Sequence, residues 1–289
     1  MEISTSQQTK RTKPDWLKIQ LPSTESEYAQ VKKIVKEHQL HTICESGKCP
    51  NVGECWGAGT ATFMILGDIC TRACRFCAVK TGKPEAIDWN EPEKVAQSIQ
   101  LMQLKHAVIT SVDRDDLPDG GAAVWAATIK AIKTTNPNTT IEVLIPDFKG
   151  KEELILQVIE QQPNVISHNM ETVRRLTRQV RRNSDYDRSL SVIKTIAQNN
   201  IRPKSGIMLG LGETEAEILE TMDDLRRAGC QVMTIGQYLQ PTKEHLEVQE
   251  FITPETFKKY EQIGLEKGFL FVESGALVRS SYHAEKHVL

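Results

Sequence analysis

Eight residues carry the sharpest chemistry in this sequence: Cys70-Thr71-Arg72-Ala73-Cys74-Arg75-Phe76-Cys77, a C-x3-C-x2-C run. Three thiolates on one short loop can hold three irons of a cubane iron–sulfur cluster. The fourth iron then stays open to a small molecule that chelates through an amine and a carboxylate, whereas four-cysteine ligation fills every site. A structural zinc site is the competing reading, but zinc normally wants four ligands in paired spacings. A second set precedes the first in the chain: Cys44, Cys49 and Cys55, spaced C-x4-C-x5-C. That spacing does not match paired zinc motifs either, and three more thiolates beside a cluster-binding loop suggest an auxiliary cluster. A zinc-bound loop, or one that merely contains cysteines, stands against it. The seventh cysteine, Cys230, lies apart and reads as a small buried hydrophobe.

A run of β–α repeats must position these cysteines. Residues 60–66, 106–112, 140–145, 165–169, 203–209 and 231–237 are rich in β-branched and apolar types and read as strands. Helical stretches lie between them at 91–104, 122–134, 151–162, 186–199 and 213–228. Six such repeats predict an α/β fold with a parallel sheet, either open and doubly wound or a partial barrel. Cys70 follows the first strand directly, at the strand-end face where parallel barrels carry their active sites. An amphipathic helix is expected over 25–38, after a polar leader at 1–15. The chain is expected to divide into an N-terminal extension (1–59) with the first cysteine set, a core (60–250) and a C-terminal tail (251–289).

Bulk composition narrows the partners. The 289 residues are 39% apolar and 26% charged, with a formal net charge of −2. No global field favours nucleic acid or an anionic membrane surface. No apolar run approaches the roughly 20 residues of a membrane span. The first fifteen residues lack the apolar core of a secretory signal, so a cytoplasmic location is expected and a disulfide framework is a poor account of the cysteines.

Three stretches then carry a family likeness: CESGKCPNVGECW at 44–56, ATFMILGDICTRACRFCAV at 61–79 and GALVRSSYHAE at 275–285. Together they resemble the lipoyl synthase family of the radical S-adenosylmethionine (SAM) superfamily, and the likeness spans nearly all of 44–285. The resemblance implies a partial (β/α)6 barrel whose C-terminal tail closes on the auxiliary cluster. It implies two [4Fe–4S] clusters and SAM. The cluster on Cys70, Cys74 and Cys77 would cleave SAM to a 5′-deoxyadenosyl radical. The auxiliary cluster on Cys44, Cys49 and Cys55 would be the sulfur source, spent in turnover. Its fourth ligand would be a serine of Arg279-Ser280-Ser281-Tyr282; Ser281 is favoured, though the sequence does not separate it from Ser280. The bland reading of that stretch is a polar turn. The implied reaction inserts sulfur at C6 and C8 of an octanoyl chain already amide-linked to a carrier lysine. Its unactivated C–H bonds offer no acidic proton to a general base, so a radical is needed. Implied partners are octanoylated lipoyl-carrier domains of 2-oxoacid dehydrogenase subunits and the glycine-cleavage H protein, and an electron donor such as ferredoxin or flavodoxin. A monomer is expected.

Candidate SAM contacts sit at strand ends: Phe76, Thr110, Ser111, Asn169 and Glu171, with a Gly-Ile-Met-Leu-Gly-Leu-Gly-Glu run at 206–213 that resembles a GxIxGxxE pattern. Polar strand-end residues are often only loop caps, and Gly210 and Gly212 could serve a tight turn alone. Asp113-Arg114-Asp115-Asp116 either orients a ligand or neutralises itself. Arg174, Arg175, Arg178, Arg181 and Arg182 form a basic run read as one helix face, either solvated or a docking patch for an acidic carrier. Three other classes remain open: another radical SAM sulfur-inserting or methylthiolating enzyme, a zinc-stabilised binding module and a ferredoxin-like electron carrier. The near-neutral charge argues against an RNA substrate.

Overall fold

A computed structural model describes residues 13–18, 26–38, 40–57 and 62–288. Positions 1–12 of the expected leader lie outside the described residues, as do 60 and 61 of the expected first strand. Among those described, the strands β1 Thr62–Ile65, β2 His106–Ser111, β3 Thr140–Leu144, β4 Val165–Ser167, β5 Arg202–Leu209, β6 Val232–Gln237 and β7 Phe271–Gly275 form one parallel sheet in that spatial order. The intervening helices are α1 Glu91–Leu101, α2 Ala122–Thr135, α3 Glu152–Ile159, α4 Tyr186–Gln198, α5 Glu215–Arg227 and α6 Pro254–Glu266. This is the expected partial barrel. Its β1 edge is closed by a short antiparallel strand, His41–Thr42. The helix expected over 25–38 forms as Ser26–Glu37.

The strands read as continuous apolar runs because both of their faces are covered. Phe63, Ile65, Ile109, Ile141, Val143, Ile166 and Met233 are all buried. One layer breaks the pattern: Glu142 on β3 and Lys204 on β5 are buried as an ion pair. The helices start where the sequence supplies caps. Thr214 accepts from the Glu217 N–H, and Glu217 reaches back to the Thr214 N–H, a complete capping box for α5.

The stretch expected to be a tail, 251–289, in fact opens with a seventh repeat. Thr253 caps α6 and Pro254 begins it, while Phe257, Tyr260 and Gly264 face inward at helical spacing. β7 then pairs with β6 from Phe271 opposite Val232 to Gly275 opposite Gly236. Only the residues after Gly275 behave as a tail. Short strand length and two polar residues hid β7 from pattern reading.

Candidate active site

The loops at the C-terminal ends of the strands enclose a cavity of about 1400 Å³. Cys70, Cys74 and Cys77 line one side of it and Cys49 lines another, with Arg279 and Ser280 of the tail beside them. The barrel therefore brings the whole second set, Cys49 of the first set and the Arg279-Ser280 part of the C-terminal motif to one space, while Cys44 and Cys55 lie outside its lining.

The second set sits on a loop clamped from both flanks. On one flank, the Thr71 N–H and hydroxyl both donate to the Asp113 carbonyl, at 3.0 and 2.8 Å. The N–H groups of Asp113 and Arg72 point at the Cys70 sulfur, at 3.3 and 3.4 Å. Arg72 is 4% exposed. Its guanidinium makes two bonds to Asp115, at 2.8 and 2.9 Å, and one to Asp147 at 2.7 Å, with Asp113 at 3.4 Å. On the other flank, the Arg75 N–H donates to the Val180 carbonyl at 2.9 Å and His245 Nε2 donates to the Cys77 carbonyl at 2.9 Å. The loop that follows β2 is thus neither free nor merely self-neutral. Arg114 does pair with Asp116, but Asp113 and Asp115 hold the cysteine loop.

The thiols fit a metal-sulfur group. Burial, reinforced by Asp113 and the other two cysteines, pushes Cys74 up to about 12 against the opposing charge of Arg181. Burial also pushes Cys77 up to about 11. Three neighbouring thiols held protonated in this way become thiolates only if a cation joins them, and metal ligation deprotonates them outright. N–H donors aimed at a cysteine sulfur suit a bound cluster.

Of the first set, Cys44 lies on a short helical turn, Ile43–Ser46, Cys55 on another, Val52–Gly57, and Cys49 on the link between them. Cys44 is buried, while Cys49 and Cys55 are half-buried. Trp56 is fully buried in the core and so anchors this loop. Asn51 Nδ2 donates to the Leu277 carbonyl at 2.8 Å, which ties the loop to the tail. Arg279, whose pKa is lowered by burial, has its charge beside Cys49. Ser280 lines the cavity; Ser281, also half-buried, is not among its lining residues. The tail crosses over Gly236, whose missing side chain leaves room for the Val278 carbonyl. Gly236→Ala would overlap that oxygen. It is expected to cost about 1–3 kcal/mol, seen as a lower denaturation midpoint, with faster proteolysis after residue 275.

Of the expected SAM contacts, Phe76, Thr110, Ser111, Asn169 and Glu171 all line the cavity. Thr110 Oγ1 is spent on the Leu144 carbonyl at 3.4 Å. Ser111 Oγ and Asn169 Oδ1 are buried with no hydrogen-bond partner among the described residues, so both await a ligand. Glu171 accepts from Asn169 Nδ2 at 3.2 Å, and burial pushes its carboxyl up. The run at 206–213 divides in two. Gly206, Ile207 and Met208 line the cavity, whereas Glu213 bonds back to the Gly210 and Leu211 N–H groups at 2.5 and 2.9 Å and closes a turn.

The basic run is not one helix face. It covers a 3-10 turn, Arg174–Leu176, and a short helix, Thr177–Val180. Arg174 pairs with Asp187, Arg175 with Glu217, and Arg181 is buried against the Asn169 and Met170 carbonyls. Arg174, Arg175, Arg178 and Arg182 are all exposed and fit the solvated reading; Arg181 does not. Sequence reasoning missed Arg72, Asp147, Arg181 and His245. The Ile145-Pro146-Asp147 end of β3 was a usable signal, since every strand end of such a barrel is a candidate.

Residues 64–225 match the model of the radical SAM superfamily. The chain is 62% identical over 284 residues to the lipoyl synthase of Christiangramia forsetii, covering 98% of this chain and 97% of that one. It is 62% identical to the mitochondrial lipoyl synthase of Nematostella vectensis, over 96% and 95%. This chain belongs to the lipoyl synthase family. Solved structures agree on the fold alone. Methylornithine synthase superposes with a TM-score of 0.54 at 12% identity, covering 90% of this chain and 81% of that one. Streptococcus suis SuiB bound to S-adenosylmethionine gives 0.59 at 9% identity, covering 86% and 62%.

Proposed function

We propose that this enzyme inserts two sulfur atoms, at C6 and C8, into an octanoyl chain amide-linked to a lysine of a lipoyl-carrier domain. The observation that carries this reading is the convergence of Cys70, Cys74 and Cys77, Cys49 of the first set and the tail on one strand-end cavity. Cys70, Cys74 and Cys77 would hold a [4Fe–4S] cluster with one open iron, and Cys44, Cys49, Cys55 and a tail serine would hold the auxiliary one; Ser280 lines the cavity, whereas Ser281, the serine favoured from the sequence, does not. When bound, these groups supply one-electron cleavage of SAM to a hydrogen-abstracting radical and the sulfur to be inserted.

The protein's own residues bind, orient and exclude. Ser111, Asn169 and Glu171 present polar atoms for a zwitterionic, ribose-bearing molecule, as Phe76 and Thr110 present backbone and shape. Leu239, Pro241, Leu277 and Val278 line the same cavity with apolar surface, which suits an eight-carbon chain and keeps water from a reactive radical. The space exceeds the roughly 300–1,000 Å³ of a single small-molecule pocket, as two simultaneous guests require. The division into an extension at 1–59, a barrel and a closing tail follows the same logic. We assign the electron donor to a small carrier of the ferredoxin or flavodoxin type. The enzyme is placed in the cytoplasm as a monomer. No helix of the described residues is long and apolar enough to cross a membrane.

The test is an anaerobic incubation of the reconstituted protein with an octanoyl-lysyl peptide, SAM and a reductant. The expected products are a lipoyl peptide and about two 5′-deoxyadenosines for each one formed. SAM cleavage without sulfur in the peptide would move the enzyme to another radical chemistry.

A further inference from the structure

The last turn of the chain, Ala284–Val288, does not end near the cavity. It sits at the opposite, N-terminal end of the barrel, and it is built into a buried polar layer there. Lys204 is 0% exposed and puts Nζ on both oxygens of Glu142, at 2.7 and 2.9 Å. An ammonium has three donors. The third is taken by His287 Nδ1 at 3.2 Å, so this nitrogen is an acceptor and the imidazole is neutral. His287 is itself 0% exposed, its carbonyl accepts from Arg202 at 2.5 Å, and its ring stands 5.7 Å from that of Phe271. Lys204, Arg202 and Phe271 lie at the starts of β5 and β7, and Glu142 lies in β3.

Eight residues earlier the tail is fixed at the other end. The Val278 carbonyl is packed over Gly236, the Leu277 carbonyl accepts from Asn51, and Arg279 stands beside Cys49. Ser280 and Ser281 are therefore strung between two fixed points on opposite faces of the barrel. His283 gives one intermediate hold, 3.4 Å from Glu273 on β7.

We infer that His287 is a positioning residue: by completing the buried Lys204 and Glu142 pair it latches the C-terminus to the floor of the barrel, and so sets where the tail serines stand against the first cysteine set. The inference rests on the reading that a tail serine completes the auxiliary cluster. His287→Ala leaves one ammonium proton without a partner in a sealed layer and frees the chain below residue 279. His287→Asn keeps an acceptor oxygen near the place of Nδ1.

The experiment compares wild type, His287→Ala and His287→Asn as full-length reconstituted proteins, by hydrogen exchange and by iron per chain. In His287→Ala, exchange over 280–286 is expected to speed up about tenfold or more while 277–279 and the barrel strands stay protected. Iron should fall from about eight towards about four, with SAM cleavage by the second cysteine set retained. His287→Asn should restore both. Wild-type exchange and iron in His287→Ala would overturn the latch. So would exchange that spreads through β3 and β5, which would make His287 a general stabiliser. If His287→Ala does not fold, His287→Asn alone decides: slow tail exchange and full iron support the latch, and a loosened tail overturns it. About four irons in the wild type would instead sink the two-cluster reading, while tail exchange would still judge the latch.

Discussion

Cys70→Ala, Cys74→Ala and Cys77→Ala combined are expected to halve the iron of the reconstituted enzyme, from about eight atoms per chain to about four, and to abolish SAM cleavage. The loss should be local. The loop is held by the Thr71 and Asp113 backbone contacts, by Arg72 and by His245 rather than by its thiols. The melting temperature of the metal-free protein is therefore expected to move by no more than about 3 °C. The matching triple at Cys44, Cys49 and Cys55 should also leave about four irons, yet keep SAM cleavage and lose sulfur insertion. This asymmetry is the informative outcome, because it assigns a separate task to each set. Loss of all iron in either variant would mean that the six cysteines build one centre, and the sulfur-donor role would fall with it.

Asp147→Asn should be the most damaging single change outside the cysteines. Asp147 is fully buried and one carboxylate serves two cations: Arg72 at 2.7 Å through Oδ1 and Arg188 at 2.8 Å through Oδ2. Removing its charge leaves the buried Arg72 short of an anion, at a cost of about 3–5 kcal/mol, measurable in denaturant melts. Arg72 lies between Cys70 and Cys74, so SAM binding should weaken as well. The effect carries a pH signature. Burial alone pushes the Asp147 carboxyl up, but the hydrogen bonds and charge of Arg72 outweigh it and hold the group well below the usual carboxylate range. A carboxylate depressed by folding adds stability above its unfolded value of about 3.9 and loses it as pH falls through the folded value. The gap between wild type and Asp147→Asn should thus be full near neutrality and shrink below about pH 4. A gap under about 1 kcal/mol at neutral pH would show that Asp115 alone suffices to hold Arg72.

The six central strands were legible because both of their faces are apolar, and the cysteine sets because their spacing is a local fact. What escaped the sequence is long-range. Arg72 reads as one more charge in a loop until Asp115, 43 residues on, and Asp147, 75 residues on, are brought to it. His245 reaches Cys77 across 168 residues. The arginines at 174–182 look alike in sequence, yet Arg181 is buried while the other four are exposed, two of them paired with acids. The final repeat is hard to read because its strand is five residues long and carries Glu273 and Ser274, although Thr253-Pro254 is a good helix start. Pairing of Asn51 with Leu277 had no signal at all in the order of residues.

The short strand His41–Thr42 has a bearing on solubility. It pairs with Phe63 and Met64 and so covers the open edge of β1. An uncovered edge of that kind recruits other chains and seeds aggregation. The same segment runs straight into Cys44, a ligand of the auxiliary cluster proposed above. If that cluster alone held it, its loss would strip the edge. Protein contacts hold it instead: Leu40 is buried, Trp56 is sunk in the core and Asn51 is tied to Leu277. On the proposed reading, loss of the auxiliary cluster is thus expected to leave the β1 edge covered, with metal-free protein staying monodisperse by light scattering.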